Sequence, residues 1–136
     1  MDAVENYALA INECRATNDN LWLAGALDGY AASIVLLIRW QYPLEEILGR
    51  DLKNISLTTA SSQQQYDNQE MQTVQDNIEA KSFKLAEERA FEAASIYSKG
   101  VMYCGMEVEC LLRLARIHET MEWKADREHK AIFSLF

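Results

Sequence analysis

Little in this chain of 136 residues punctuates it: there is one proline, Pro43, and only five glycines. An all-β domain of this length needs more turn residues, so the composition leans helical before any pattern is read. Cysteine is sparse too. Cys14, Cys104 and Cys110 are odd in number and irregular in spacing. That is no disulfide framework, and it predicts reduced, buried thiols. Positive charge is thin: the net charge is −8 and no two Lys or Arg residues are adjacent. A general polyanion binder carries the opposite balance, which argues against nucleic acid as a partner and disfavours direct binding to anionic membrane. The start, Met1-Asp2-Ala3-Val4-Glu5, is acidic where a secretory leader is basic, so no signal peptide is expected.

The sequence also lacks the patterns that carry chemistry. Cys104-x5-Cys110 with His118 is not a zinc spacing, and neither CxxC nor HExxH occurs. Asp126-x-x-His129 approaches a di-iron motif, but it occurs once where two are needed. No G-x-S-x-G elbow is present, and the scattered glycines form no phosphate cradle. Paired carboxylates such as Glu45-Glu46 and Glu87-Glu88 read as solvated helix faces. The expectation is a protein with no catalytic residues, no metal and no cofactor, and His118 is expected in a core or groove.

What is present is helical periodicity. Val4, Tyr7, Ile11 and Cys14 step by three and four, and Asp2 with Glu5 resembles a capping box. This predicts a helix over 2–16, stopped by Thr17-Asn18-Asp19-Asn20. A second helix is predicted from about Asn20 to Trp40, with small residues (Ala24, Gly25, Ala26, Gly29) that allow a neighbour close. Overpacking is therefore expected if Gly25 is enlarged. So short a turn predicts an antiparallel αα-hairpin, with Trp22 and Tyr30 packed inside it.

Leu21–Ile38 is also apolar enough to test as a membrane span, and Gly25-x-x-x-Gly29 can mark a transmembrane dimer face. A span needs about 20 apolar residues. Asp28 sits mid-run, where a charge costs about 2.5–3.5 kcal/mol. A buried helix is the favoured reading.

Pro43 is expected to open a short helix, Leu44–Leu52, with Glu45 and Glu46 in its first turn. Residues 54–77 hold no Lys or Arg and include the polar run Ser56–Gln65. They read as a flexible acidic insertion. Helical pattern resumes near Ile78 and runs to Ser98, with Leu85, Ala86, Ala90, Phe91, Ala94 and Tyr97 as its buried stripe. A further helix, Met106–Trp123, is expected to bury Cys110, Leu111, Leu114, Ile117, His118 and Met121. The tail from Ala125 reads as another helix, cut short, with Phe133, Leu135 and Phe136 uncovered. That predicts either a fragment of a longer chain or a tail packed on a neighbour. The organisation is thus 1–53 as a first hairpin plus a short helix, 54–77 as the insertion, and 78–136 as a second hairpin plus a truncated helix.

With the hairpins placed, a family resemblance can be read. Asp19 through Gly29, Asp-Asn-Leu-Trp-Leu-Ala-Gly-Ala-Leu-Asp-Gly, resembles the "DxLWLAGALEG" segment of the large TRAPP II-specific subunit family, with Asp28 where Glu is usual. That family includes the NIK- and IKKβ-binding protein of animals and its fungal counterpart. Ala93, Tyr97 and Lys99, followed by Glu109, Leu112, Arg113, Leu114, Ala115 and Arg116, are similar to the family's "A-x-x-x-Y-x-K … E-x-x-L-R-L-A-R" run.

The resemblance implies a non-catalytic scaffold segment of a vesicle-tethering and Rab-exchange complex, peripheral at Golgi and endosomal membranes. Its partners would be other TRAPP subunits and, indirectly, a Rab GTPase. A link to NF-κB signalling is implied for the animal protein. Asp19, Leu21, Trp22, Gly25, Ala26, Leu27, Gly29, Tyr97, Leu112, Leu114, Ala115 and Arg116 are the motif positions expected to pack. Trp40, Tyr42 and Trp123 are the candidates for partner contact.

The fold class expected is all-α, with antiparallel hairpins forming part of a TPR-like α-solenoid, although a clean 34-residue repeat is absent. An unrelated TPR-like adaptor that binds a protein or peptide is the alternative.

Overall fold

The computed structural model describes residues 2–55, 70–100 and 104–134, with side chains over 3–55, 77–100 and 105–127. Five helices and no strands occur among them: α1 Asp2–Thr17, α2 Asn20–Arg39, α3 Leu44–Leu52, α4 Glu70–Ser98 and α5 Cys104–Ser134. The all-helical class is therefore as the sequence predicts.

Local chemistry sets the boundaries. Asn18 adopts the left-handed conformation (φ 57°), and the N–H of Asp19 reaches back to the Cys14 carbonyl at 3.0 Å. This is a Schellman ending for α1. The same Asp19 then caps α2, its carboxylate accepting from the N–H of Trp22 at 3.3 Å. One residue thus ends one helix and starts the next, which folds the pair back into a hairpin. The far end of α2 repeats the device: Gln41 has φ 58°, and the N–H of Tyr42 bonds to the Leu37 carbonyl at 3.0 Å. Pro43 follows, and α3 begins at the next residue.

Two helices run beyond the predicted limits. α4 starts at Glu70 rather than near Ile78, so the end of the polar 54–77 stretch is helical. Glu, Met and Gln there are good helix formers, and their polarity hides the periodicity. Ser56–Gln69, the heart of the predicted insertion, lies outside the described residues. α5 continues unbroken from Cys104 to Ser134, so the expected separate tail helix is a continuation of it. Nothing between Trp123 and Ala125 carries a stop signal. The side chains of Phe133, Leu135 and Phe136 lie outside the described residues.

The helices pack as two hairpins that share a core. Glu87 meets His118 and Glu79 meets Lys124, so α4 and α5 are antiparallel. Gly25 lies beside Tyr97 and Tyr30 beside Arg89, so α2 and α4 are antiparallel too. Asp28 meets Arg113 and Arg39 meets Trp123, so α2 and α5 run parallel. The most extensive packing joins α2 to α4 rather than either hairpin to itself. Leu27, Tyr30, Ala31, Ile34 and Ile38 of α2 and Leu85, Ala86, Ala90 and Ala93 of α4 are all buried there. α3 closes one side through Leu48 and Leu52, helped by the buried Ile55 just beyond it.

α2 is long and apolar enough to cross a membrane by length and composition, yet 56% of that stretch is buried inside the fold. Its apolar surface is already covered by α1 and α4.

Candidate interaction site

The lone charge of α2 shows how the hairpins are tied. The carboxylate of Asp28 accepts from Nε of Arg113 on α5 at 3.3 Å, and both side chains are less than a third exposed. Cys110, one turn before Arg113, lies beside the same carboxylate. Burial first and then the adjacent Asp28 carboxylate push the Cys110 thiol up to about 12, with Arg113 opposing them. The thiol therefore stays protonated near neutrality, which suits a packing role rather than a nucleophile. A mid-helix carboxylate that would be costly alone is paired and hydrogen-bonded instead.

A second polar knot lies between α1, α2, α3 and α4. The Tyr30 hydroxyl donates to the Asp51 carboxylate at the end of α3. Burial first, then that hydrogen bond, raises the pKa of Tyr30. A cavity of about 100 Å³ beside it is lined by Ala8, Ile11, Asn12, Arg15, Tyr30, Asp51 and Arg89. Further ion pairs among the described residues are the exposed Arg15 to Glu92 at 2.9 Å and the more sheltered Lys124 to Glu79 at 2.6 Å, and His118 lies 3.6 Å from Glu87. Among the described residues no group of three His, Cys, Asp or Glu is placed to hold a metal.

The motif positions separate into two sets. Ala26, Leu27 and Tyr97 are buried, Leu114 packs on the core, and Asp19 caps α2. Leu21, Trp22, Gly25, Leu112, Ala115 and Arg116 are exposed and do not pack as expected. Trp22 is 69% exposed whereas Tyr30 is 1% exposed, so only one of the two aromatics assigned to the first hairpin lies inside it. The close approach is at Gly29, not Gly25. A Cβ at Gly29 would strike the Tyr7 ring, whereas one at Gly25 would meet the Tyr97 hydroxyl at an ordinary 3.7 Å.

Other stripe residues are also misplaced by the sequence reading. Phe91 is 64% exposed, and Leu111, His118 and Met121 are exposed. The buried line of α5 keeps the expected Cys110 and Ile117, with Leu114 packed against the core, and adds Thr120, whose hydroxyl donates to the Arg116 carbonyl at 2.8 Å. Of the cysteines, Cys110 is buried and Cys14 half-buried, both free; the Cys104 side chain lies outside the described residues.

Exposed apolar side chains occur on several helices, and two groups of them lie on α5 and at the end of α2. On α5, Val108, Leu111, Leu112 and Ala115 stand outward at helical spacing, a second apolar stripe opposite the buried one. At the C-terminal end of α2, Trp40 and Tyr42 are exposed. Nearby, Trp123 has the guanidinium of Arg39 at 5.9 Å and that of Arg127 at 5.4 Å from its ring centre. Sequence reasoning found the three aromatics but not the arginines, which the stacking of α2 on α5 brings to Trp123.

Fold and surface together define an all-helical unit with a hydrophobic core and aromatic residues left outside it. No family model, curated protein or solved structure matches the chain.

Proposed function

We propose that the chain is a non-catalytic scaffold segment of a TRAPP II-type vesicle-tethering complex, built as part of a TPR-like α-solenoid and acting at Golgi or endosomal membranes. One observation carries the reading: the two sequence stretches that bear the resemblance meet in space. Asp28 of the first pairs with Arg113 of the second, and Gly25 lies beside Tyr97. A shared pattern in two distant stretches is what a common packing unit requires.

The hairpin-on-hairpin packing through α2 and α4 is how solenoid repeats bury their faces. The outward apolar stripe on α5 is then a surface for a neighbouring subunit or repeat, since such patches mark interaction sites. Exchange chemistry on a Rab GTPase would belong to other subunits of the complex.

The test is to tag the full-length parent protein in cells and identify by mass spectrometry what co-purifies. Small TRAPP core subunits recovered in near-stoichiometric amounts are the expected result. Their absence would overturn the family reading and leave a helical adaptor for another partner.

A further inference from the structure

We propose that the outer face of α5 is a self-association surface, on which a second copy of this chain lays its own α5 antiparallel, about a two-fold axis near Leu112 and Ala115. This names an occupant for the stripe that the function above leaves to a neighbouring subunit. It rests on the surface of α5 and not on the family resemblance, so it can fail while that reading stands.

The apolar part of the face is short. Val108, Leu112 and Ala115 recur at i, i+4 and i+7, with Leu111 beside them, and all four are exposed. They lie opposite the buried Cys110 and Ile117, so α2 and α4 leave them in solvent. Beyond Ala115 the same line continues as Glu119 and Glu122, both exposed. One end of the face is therefore apolar and the other acidic.

That asymmetry decides orientation. A parallel partner sets Glu119 against Glu119 and Glu122 against Glu122, like charge on like charge. An antiparallel partner sets Leu112 against Ala115 on both sides of the axis. It also carries Glu119 and Glu122 to the first turn of the other α5, the positive end of that helix. Glu107, the acidic residue of that turn, lies about 100° round the helix from the stripe.

Charge at the rim selects the occupant. Glu109 and Arg116 are exposed and one heptad apart, so they hold the same rim position on the same side of the stripe. The register that pairs Leu112 with Ala115 sets Glu109 beside Arg116 of the second copy, once on each side of the axis. Neither residue forms an ion pair within its own chain among the described residues. Arg113, the i+4 neighbour of Glu109, is held by Asp28 instead. Opposite charges at positions exchanged by a two-fold are what a self-complementary interface requires, since residue i meets j and j meets i. A partner of unrelated sequence accounts for the stripe but not for this matched pair. The face spans only about three helical turns, so the dimer is a weak, transient one.

The experiment is sedimentation velocity on the 136-residue chain over roughly 1–500 µM, a range suited to a weak interface. The proposal expects monomer to give way to dimer as concentration rises, with no larger species. Leu112→Glu should stay monomeric throughout. Glu109→Arg and Arg116→Glu should each dimerise at least about tenfold more weakly. Mixed in equal amounts, these two variants should associate again, because each mixed pair then faces Arg with Glu at both contacts. The chain carrying both substitutions should dimerise alone as the parent does. Thermal unfolding by circular dichroism confirms that the variants fold; the doubly exchanged chain carries the same test if a single variant does not.

A parent chain that is monomeric over the whole range overturns the proposal. So does dimerisation that folded Leu112→Glu leaves unchanged, growth beyond a dimer, or folded single variants that stay apart when mixed.

Discussion

α2 and α5 are both long helices carrying apolar residues, yet the fold uses them differently. α2 is covered by α1, α4 and α5, and ten of its residues are buried. α5 is covered by α4 and, over part of its length, by α2; its buried line is narrow and its outer face keeps Val108, Leu111 and Leu112 in solvent. A helix apolar nearly all round belongs in a core, whereas a helix with two apolar stripes has one partner inside and one stripe unclaimed. The difference separates what holds the molecule together from what it offers to others.

The sharpest way to break that contrast is truncation. Ile34→Ala, at a fully buried site on α2, should lower unfolding free energy by about 2–5 kcal/mol. A chemical denaturation midpoint that hardly moves would deny α2 its core position. Leu112→Ala on the outer face of α5 provides the paired measurement.

Alkaline pH probes the same core. Cys110 has its thiol raised from 9.0 to about 12, so the folded state holds a proton that the unfolded chain has lost above pH 9. The unfolded state then binds fewer protons, and stability falls as pH rises from 9 towards 12. Tyr30 adds to this fall above pH 10, because its pKa is raised as well. Denaturation midpoints measured across this range should decline, and Cys110→Ala should flatten the lower part of the slope. An equally steep decline in that variant would show that the thiol is not the source.

Glycine substitution tests where helices come close. Gly25→Ala gains helix propensity without a clash and should stabilise by up to about 1 kcal/mol. Gly29→Ala makes the same gain but displaces the Tyr7 ring, so its midpoint should lie below that of Gly25→Ala. The reverse order would put the tight contact back at Gly25. Smallest of all, Leu112→Ala should stay within about 0.5 kcal/mol of the parent, because it empties no cavity. A loss comparable to that of Ile34→Ala would mean the outer stripe is part of the core.

Much of the architecture is legible in the sequence because its signals are local. Asn18-Asp19 marks the first turn, Pro43 marks the entry to α3, and 3.6-residue periodicity marks α1. What is not legible is direction. α2 carries small or apolar residues on nearly every face, so periodicity cannot say that Tyr30 points in and Trp22 out. α5 has two apolar stripes, and the sequence alone cannot choose which one α4 covers; hence Leu111 was expected inside and is not. The start of α4 is masked by polar residues that form helices well. For the interaction site, Trp40, Tyr42 and Trp123 could be named from residue type, but Arg39 and Arg127 become part of it only through tertiary packing. Asp28 did carry a signal: one charge in an apolar run demands a partner, although nothing local names Arg113.

That pair gives the most direct test of the claim that the two resemblance-bearing stretches form one packing unit. The measurement is a double-mutant cycle on unfolding free energy with Asp28→Asn, Arg113→Ala and the combination. The account predicts non-additivity of about 1 kcal/mol or more, with the double variant more stable than the sum of the singles implies. Additive effects would mean that the two stretches do not meet there.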